Sequence, residues 1–382
     1  MNIEFPEGPP GIHPATAVIH KLLRSKQIQN PISASPFSEA FLLGIGGGLD
    51  IGVILFQFNH LPNPMLVLGF RNQWNNPQSF MEKVTERLRL PATYREYESD
   101  QTAQKDLQGI LKTDEPAIVW VDKAYLPYQH RPETQQGYTN HTVAVYARDG
   151  RLWRLYVDDL AEGLWEVREK TFTAARASLS QNNFLMATID GDVDLTVREL
   201  RQAITTSIRD CAAQLTRPVR TIGISTLEKW AEMLTDRNDH QGWPQVFKDQ
   251  KGLYPALRTV YETIRLDGTE GSALRKTYSD FLHEAASYLG NPALNAVAGQ
   301  YLQVANHWVN LAESALPSTE PDFDTVKSLL SQRYEAYRKN DAKGMQKALK
   351  SLRTVENRIN KSFPLDDAET GQLFDRLASQ VK

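Results

Sequence analysis

The chain is poor in cysteine, in long apolar runs and in excess charge, and each shortage excludes a class of protein. A single cysteine among 382 residues rules out a disulfide framework and a cysteine-based zinc site. No apolar run approaches the roughly 20 residues that span a bilayer, and the start lacks the basic and apolar regions of a signal peptide. A net charge of −3 offers no basic stripe for nucleic acid. We therefore expect a soluble, cytoplasmic protein with no membrane or nucleic-acid partner.

The chain is long enough for two domains, and its pattern changes near residue 190. Before that point, helical patterns at residues 14–23, 38–43, 77–89 and 100–111 alternate with β-rich runs at residues 65–70, 117–122, 140–159 and 163–167. After it, amphipathic helical patterns follow one another as far as residue 380, separated by helix breakers. The sequence predicts an α+β domain over residues 1–190 and an all-α domain over residues 191–382.

Residues 140–159, NHTVAVYARDGRLWRLYVDD, have the pattern of a β-hairpin. Asp149-Gly150 is typical of a two-residue type I′ turn, because both central residues must tolerate positive φ. If that turn sets the register, His141 lies directly opposite Asp158, with Cβ atoms roughly 4.5–5.5 Å apart. A carboxylate at that distance can orient an imidazole. His141 and Asp158 are therefore predicted to be a catalytic base and its orienter.

The nucleophile that such a pair would activate is hard to find. Cys211, the only thiol, lies on an apolar stripe with spacings of three and four residues, which is typical of an inert core residue. In GIHPATAVIHKLL, Pro14 favours a helix start with His13 as the N-cap. The free amides and positive dipole end at that point favour a thiolate, an oxyanion or a bound carboxylate. The alternative is a surface cap on an ordinary helix.

Three further features are candidate ligand contacts, each with a structural alternative. Gly47 and Gly48, in GIGGGLDIG, fit neither a dinucleotide fingerprint nor a P-loop, and such glycines also allow a tight turn or a close backbone approach. Arg71 could hold a carboxylate or phosphate, or bridge a surface glutamate. Asp122 ends a strand, where it could face a cleft or cap the following turn. None of the eight histidines has the spacing of a metal site, so neither metal nor cofactor is expected.

Several segments together resemble the butirosin-biosynthesis acyltransferase family, in which a papain-like domain similar to bacteriocin-leader peptidases precedes an all-helical domain. In the first half they are GIHPATAVIHKLL, SEAFLLGIGGGLDIG, LGFRNQW, VDKAYLPY, NHTVAVY and LYVDD. In the second half EGSALRKTYSDFLHEAA and ANHWVNLAESAL resemble the helical partner. The resemblance rests on the order and spacing of these segments and covers nearly the whole chain.

This resemblance implies acyl transfer from a carrier-protein thioester to an amine, in natural-product biosynthesis. In that family a cysteine follows the histidine of the N-terminal motif, a histidine on a later strand activates it, and an aspartate on the next strand orients the histidine. Carried over, His141 is the base and Asp158 the orienter, but the nucleophile position is Pro14, which has no reactive group. The implied partner is an acyl-carrier protein or a small amine or acyl substrate.

Three outcomes stay open from the sequence. Thr16, in the first turn of the same helix, could replace the nucleophile, although it points roughly 200° away from position 14 at about 100° per residue. His141 could act as a general base without a covalent intermediate, in an acyltransferase or a hydrolase. Otherwise the chain is a catalytically inactive pseudoenzyme that serves as a ligand- or partner-binding module. The long helical domain leaves a homo-oligomer as a further alternative.

Overall fold

A computed structural model describes residues 8–58, 63–71, 76, 78–131, 135–179 and 182–382. Its helices are α1 (Pro14–Ser25), α2 (Glu39–Ile45), α3 (Ser79–Arg87), α4 (Asp100–Leu111), α5 (Glu169–Ala177), α6 (Val197–Leu215), α7 (Ser225–Thr235), α8 (Trp243–Val246), α9 (Leu253–Arg265), α10 (Arg275–Leu289), α11 (Ala293–Ala315), α12 (Pro321–Arg338), α13 (Ala342–Lys361) and α14 (Asp367–Val381). Its strands are β1 (Gly52–Phe56), β2 (Met65–Gly69), β3 (Ala92–Arg95), β4 (Ala117–Asp122), β5 (Asn140–Asp149), β6 (Arg154–Asp158), β7 (Trp165–Arg168) and β8 (Met186–Ile189). The predicted class, an α+β region followed by a helical region, is confirmed.

Several helices begin where the sequence supplies a cap. His13 has extended backbone and its Nδ1 accepts a hydrogen bond from Ala15 N at 3.3 Å, with Pro14 at the first helical position. Ser38 and Ser99 cap α2 and α4 by accepting hydrogen bonds from the amide three residues further on. These caps are local, so the sequence predicts the helix starts well.

The strands from β3 to β8 form one antiparallel sheet in the order β3-β8-β4-β5-β6-β7. Strand β4 is buried along its whole length, as its continuous apolar run AIVWVD predicts. Helix α1 packs against β5, and α5 packs against β4. His141 lies near the start of β5, opposite Val121 of β4.

A second, two-stranded sheet consists of β1 and β2, which pair antiparallel from Gly52↔Gly69 to Phe56↔Met65. Helix α7 packs against β1 and α9 against β2. Gly52 also forms an isolated antiparallel bridge with Ile222, in the segment before α7. This small hairpin therefore packs with helices that lie far along the chain.

The chain divides into two compact units, and neither is a single stretch. The first unit consists of Met1–Gly47, Gln73–Ser207 and Tyr337–Ala342, and it contains the six-stranded sheet. The second consists of Gly48–Asn72, Ile208–Ala336 and Lys343–Lys382, and it contains β1, β2 and most of the later helices. The predicted domains, residues 1–190 and 191–382, stay a prediction.

The sequence pattern missed β1 with five residues, β3, β8 and α8 with four each, and the nine-residue helix α5. Four or five residues carry too few repeats of a period to stand out. The helix predicted over residues 77–89 is found as α3, with Pro77 outside the described residues. Within the described part of the chain, every helix is too short or too polar to cross a lipid bilayer.

Candidate functional site

The hairpin of β5 and β6 does not have the predicted two-residue turn. Strand β5 runs on to Asp149, which pairs with Arg154, so four residues connect the strands. The Asp149 side chain accepts hydrogen bonds from Arg151 N at 2.8 Å and Leu152 N at 3.1 Å, and the turn ends with Trp153 at φ +51°. The aspartate thus closes a longer turn through its own carboxylate.

A β-bulge at Tyr146 changes the register a second time. Val145 pairs with Val157 and Ala147 with Tyr156, which leaves Tyr146 as the extra residue. Asp158 consequently lies opposite Ala144, and the predicted pairing of Asp158 with His141 is wrong.

His141 instead contacts the next aspartate, just after the end of β6. Its Nε2 lies 2.7 Å from Asp159 Oδ2, and the two side chains are 4% and 0% exposed. Since an ionised carboxylate only accepts, it fixes the proton on Nε2. No hydrogen bond to Nδ1 is found among the described residues. The geometry is that of a base and its orienter, with Asp159 as the carboxylate.

Asp159 is held by further donors in the first unit. Gln129 Nε2 donates to Asp159 Oδ2 at 2.7 Å and lies 3.2 Å from the hydroxyl of Tyr337. That hydroxyl also accepts from Leu160 N at 3.3 Å. Burial raises the pKa of Asp159, but the His141 charge and hydrogen bond, with smaller contributions from Lys123 and Tyr337, outweigh it and lower the pKa overall. The carboxylate is therefore held ionised beside the imidazole.

Asp158 makes a separate ion pair with α1. Its Oδ1 lies 2.6 Å from Lys21 Nζ, which also donates to the carbonyls of Asp159 at 3.4 Å and Ala161 at 3.0 Å. Burial raises the pKa of Asp158 to about 7, since it outweighs the Lys21 charge, and the neighbouring Asp159 charge adds to the rise. Lys21 thus fixes the backbone that carries Asp159, and Asp158 has a structural contact in place of the predicted one with His141.

The N-terminus of α1 is occupied by a carboxylate of the chain itself. Glu39 accepts hydrogen bonds from Ile12 N at 2.9 Å, His13 N at 3.2 Å and the Thr16 hydroxyl at 2.6 Å. Burial raises the pKa of Glu39 despite these donors and the nearby His20 charge. Thr16 is buried, and the described contacts of its hydroxyl are with Glu39 and the His13 carbonyl. Its predicted role as a replacement nucleophile stays a prediction.

The two glycines predicted to bind a ligand have packing and conformational reasons to be glycine. Gly47 and Gly48 have φ of +107° and +70°, where a side chain would be strained. A Cβ on Gly48 would lie 2.6 Å from Cys211 Sγ and 2.7 Å from Tyr278 Cε2. Cys211 is buried in the core as predicted, and burial raises the pKa of its thiol. The close-approach interpretation therefore explains Gly48.

Asp122 caps a turn, which is one of the two roles predicted for it. The carboxylate accepts hydrogen bonds from Ala124 N at 3.0 Å, Gly137 N at 2.5 Å, Ser178 Oγ at 2.6 Å and Thr139 Oγ1. These donors occupy both oxygens, so the contacts correct the ligand-binding interpretation.

Arg71 is half-buried, belongs to the second unit, and its pKa is lowered by burial to about 9. Its predicted ligand role stays a prediction. In the segment LGFRNQW, residues 72–74 lie outside the described residues.

Four contributors to the site were missed from the sequence: Lys21, Gln129, Asp159 and Tyr337. A lysine four residues after Ala17 on the buried side of α1 was one available signal, because a buried lysine requires a carboxylate or several carbonyls. The Asp158-Asp159 doublet was another, since either residue could have been the orienter. Gln129 and Tyr337 carry no local signal, because their partners lie far away in the chain.

The described residues contain no group of three or more His, Cys, Asp or Glu side chains that could hold a metal ion. The polar groups at this site are the imidazole of His141, the carboxylates of Asp158 and Asp159, the ammonium of Lys21, the amide of Gln129 and the phenol of Tyr337. That set can accept and donate protons.

Two family models match the chain. The model described as Butirosin biosynthesis protein H, N-terminal, matches residues 13–160, which include His141 and Asp159. The model described as a domain of unknown function, DUF4872, matches residues 170–362, about half of the chain. No curated protein matches the chain at a significant level.

Proposed function

Because the chain belongs to the family defined by the butirosin biosynthesis protein H N-terminal domain followed by DUF4872, we propose that it transfers an acyl group from a thioester to an amine in secondary metabolism. His141 is the general base, Asp159 orients it, and no acyl-enzyme forms. The observation that carries this proposal is the buried 2.7 Å contact between His141 Nε2 and Asp159 Oδ2. It leaves Nδ1 as the ring nitrogen that can take a proton from a substrate.

The proposed step balances with these groups alone. The amine nitrogen attacks the thioester carbonyl carbon, so a C–N bond forms as Nδ1 of His141 takes the amine proton. The C–S bond then breaks, and the same proton passes to the sulfur of the leaving thiol. Asp159 stabilises the imidazolium that exists between these events. A positioned base contributes about 10²–10⁴-fold, and holding the two substrates together contributes several kcal/mol more.

A direct transfer is favoured over a covalent one by the residues at the start of α1. Pro14 occupies the position at which the resemblance places a cysteine, and it has no reactive group. The Thr16 hydroxyl is 2.6 Å from Glu39 Oε2. The only thiol, Cys211, is buried in the second unit. A papain-like fold with an acyl-carrier protein as acyl donor belongs to the same proposal.

The test is incubation of the protein with a panel of acyl thioesters and amines, following thiol release and amide formation. We expect turnover by wild type, and a loss of about 10²–10⁴-fold in kcat in His141→Ala because the positioned base is gone. His283→Ala is the matched control, because His283 is exposed on α10 and bonds only Asn295 among the described contacts. Equal turnover in wild type and His141→Ala would contradict the proposal.

The absence of a nucleophile at Pro14 also favours a second candidate, a pseudoenzyme that binds an acyl or amine ligand or an acyl-carrier protein. It predicts no turnover in wild type, together with ligand binding that survives His141→Ala. Calorimetric titration of both proteins with the same thioesters separates the two candidates. Binding without turnover supports the pseudoenzyme, and His141-dependent turnover supports the acyltransferase.

A further inference from the structure

Arg275 is a buried cation in an unfavourable place. It is the first residue of α10, a helix of 15 residues, and its side chain is only 2% exposed. The N-terminus of a helix carries the positive end of the dipole, so a cation there is destabilised, and the first turn of α10 contains no acidic residue. A buried charge normally has a partner of opposite sign.

The hydrogen bonds of Arg275 leave most of its donors unused. A guanidinium carries five N–H groups, and the one hydrogen bond found among the described residues runs from an Nη to the Ala273 carbonyl at 2.5 Å. The guanidinium carbon lies 5.0 Å from the ring centroid of Phe70 and 4.9 Å from that of Trp308. Such contacts stabilise the cation but accept no classical hydrogen bond.

The neighbouring carboxylates in the second unit are engaged elsewhere. Asp50 accepts from Arg217 at 2.6 Å and from Ile51 N at 2.8 Å. Glu270 accepts from Lys276 at 2.7 Å and from the Thr277 hydroxyl at 2.6 Å. The charge of Asp50 favours the charged form of Arg275, but neither Asp50 nor Glu270 makes a hydrogen bond with its guanidinium.

The backbone before Arg275 is strained. Ala273 and Leu274 have φ of +54° and +66°, a backbone conformation that is unfavourable for residues with a side chain. Both side chains are buried, so packing holds the strained turn in place. The turn also presents the Ala273 carbonyl to the guanidinium. This hydrogen bond directs the guanidinium back over the start of α10.

We propose that Arg275 binds the oxyanion of a ligand, a carboxylate or a phosphate, at the N-terminus of α10. The planar fork of a guanidinium matches both groups in a bidentate geometry. Among the described residues, the other guanidinium nitrogens of Arg275 have no hydrogen-bond partner, so their N–H groups are left for a ligand. The site lies in the second unit and does not depend on acyl transfer at His141.

The probes are sodium phosphate and sodium acetate, each titrated at constant ionic strength set with sodium chloride. Thermal unfolding and calorimetric titration of the full chain report binding, since a ligand of the native state stabilises by RT ln(1 + [L]/Kd). Wild type is compared with Arg275→Gln, Arg275→Lys and the control Arg358→Gln. Arg358 is a cation on α13 that is paired with Asp322.

We expect one of the two probes to raise the unfolding temperature in a saturable way in wild type and in Arg358→Gln. This effect should be absent in Arg275→Gln and at least tenfold weaker in Arg275→Lys, which keeps the charge but lacks the fork. Saturation by phosphate or by acetate identifies which oxyanion the site takes. If Arg275→Gln does not fold, the comparison with Arg275→Lys decides. No saturation by either probe in wild type, or equal affinities in wild type and Arg275→Lys, would overturn the proposal.

Discussion

The role of Asp159 depends on the single proton that it fixes on His141 Nε2, since Nδ1 can act as a base only in that tautomer. We expect Asp159→Asn to lower kcat of the proposed transfer by about 10²–10⁴-fold, because an amide can turn its NH₂ toward Nε2 and favour the other tautomer. Steady-state kinetics with the thioester and amine used for wild type give the measurement. Circular dichroism checks the fold.

The matched control for Asp159→Asn is Asp100→Asn, which removes an exposed carboxylate on α4 of the same unit. Asp100 contacts neither the imidazole nor Asp159 among the described residues, so the turnover should survive. A control variant as inactive as Asp159→Asn would show that Asp159 has no special role.

A substitution at Pro14 tests whether a substrate bound near the start of α1 also reaches the imidazole of His141. Pro14→Cys places a thiol at the first position of α1, where the helix dipole and the adjacent His13 favour the thiolate. We expect one acyl group per chain by intact-mass spectrometry after incubation with an acyl thioester. The buried Cys211 of wild type sets the background. Equal labelling of Pro14→Cys and Pro14→Cys/His141→Ala would place the reactive thiol away from the imidazole.

At the scale of elements, the sequence predicts the hairpin but not its register. The strands are clear from their apolar and aromatic residues, and His141 lies on a strand of the hairpin as predicted. The register fails because Asp149 caps a longer turn with its side chain and because Tyr146 forms a bulge. Together the longer turn and the bulge shift the pairing of the two strands, so the predicted carboxylate is wrong by one residue.

Helix starts are predicted better than contacts because a cap and its amide lie within a few residues of each other. His13 before Pro14 is the clearest case. The residues that hold Asp159 show the opposite situation, since Gln129 is 30 residues away and Tyr337 lies at the end of α12. Such contacts exist only in the folded chain, and no local pattern encodes them.

The buried contact between Lys21 on α1 and Asp158 at the end of β6 makes stability depend on pH. Asp158 has a folded-state pKa of about 7, above the roughly 3.9 of an unfolded chain. Between those values the folded state keeps a proton that the unfolded state releases. The free energy of unfolding therefore falls as pH rises from about 4 to about 7.

Lys21→Met/Asp158→Asn removes both charges and should remove that slope. Urea unfolding of wild type and the double variant at pH 4, 5, 6 and 7 gives the comparison, because contributions from other groups cancel in the difference. A difference in stability that stays constant over this range would contradict the assignment of the titration to Asp158.

At the scale of the whole molecule, segment 48–72 belongs with helices that follow it by more than a hundred residues. Asp50 pairs with Arg217 at 2.6 Å, and the rings of Phe70 and Trp308 lie 4.9 Å apart. Gly48 fits closely against Cys211. The small β1–β2 hairpin thus covers apolar and charged groups that the helices of the second unit would otherwise expose.

This arrangement predicts how fragments behave. Residues 191–382 alone should bind a hydrophobic dye and unfold without a cooperative transition, because their contacts with residues 48–72 are missing. Residues 48–72 joined by a Gly/Ser linker to residues 208–382 should unfold cooperatively. The same chain with Gly48→Val is the matched control, because a Cβ there would lie 2.6 Å from Cys211 Sγ and should abolish the transition. Cooperative unfolding of residues 191–382 by themselves would instead make the sequence boundary near residue 190 the true limit of the folding unit.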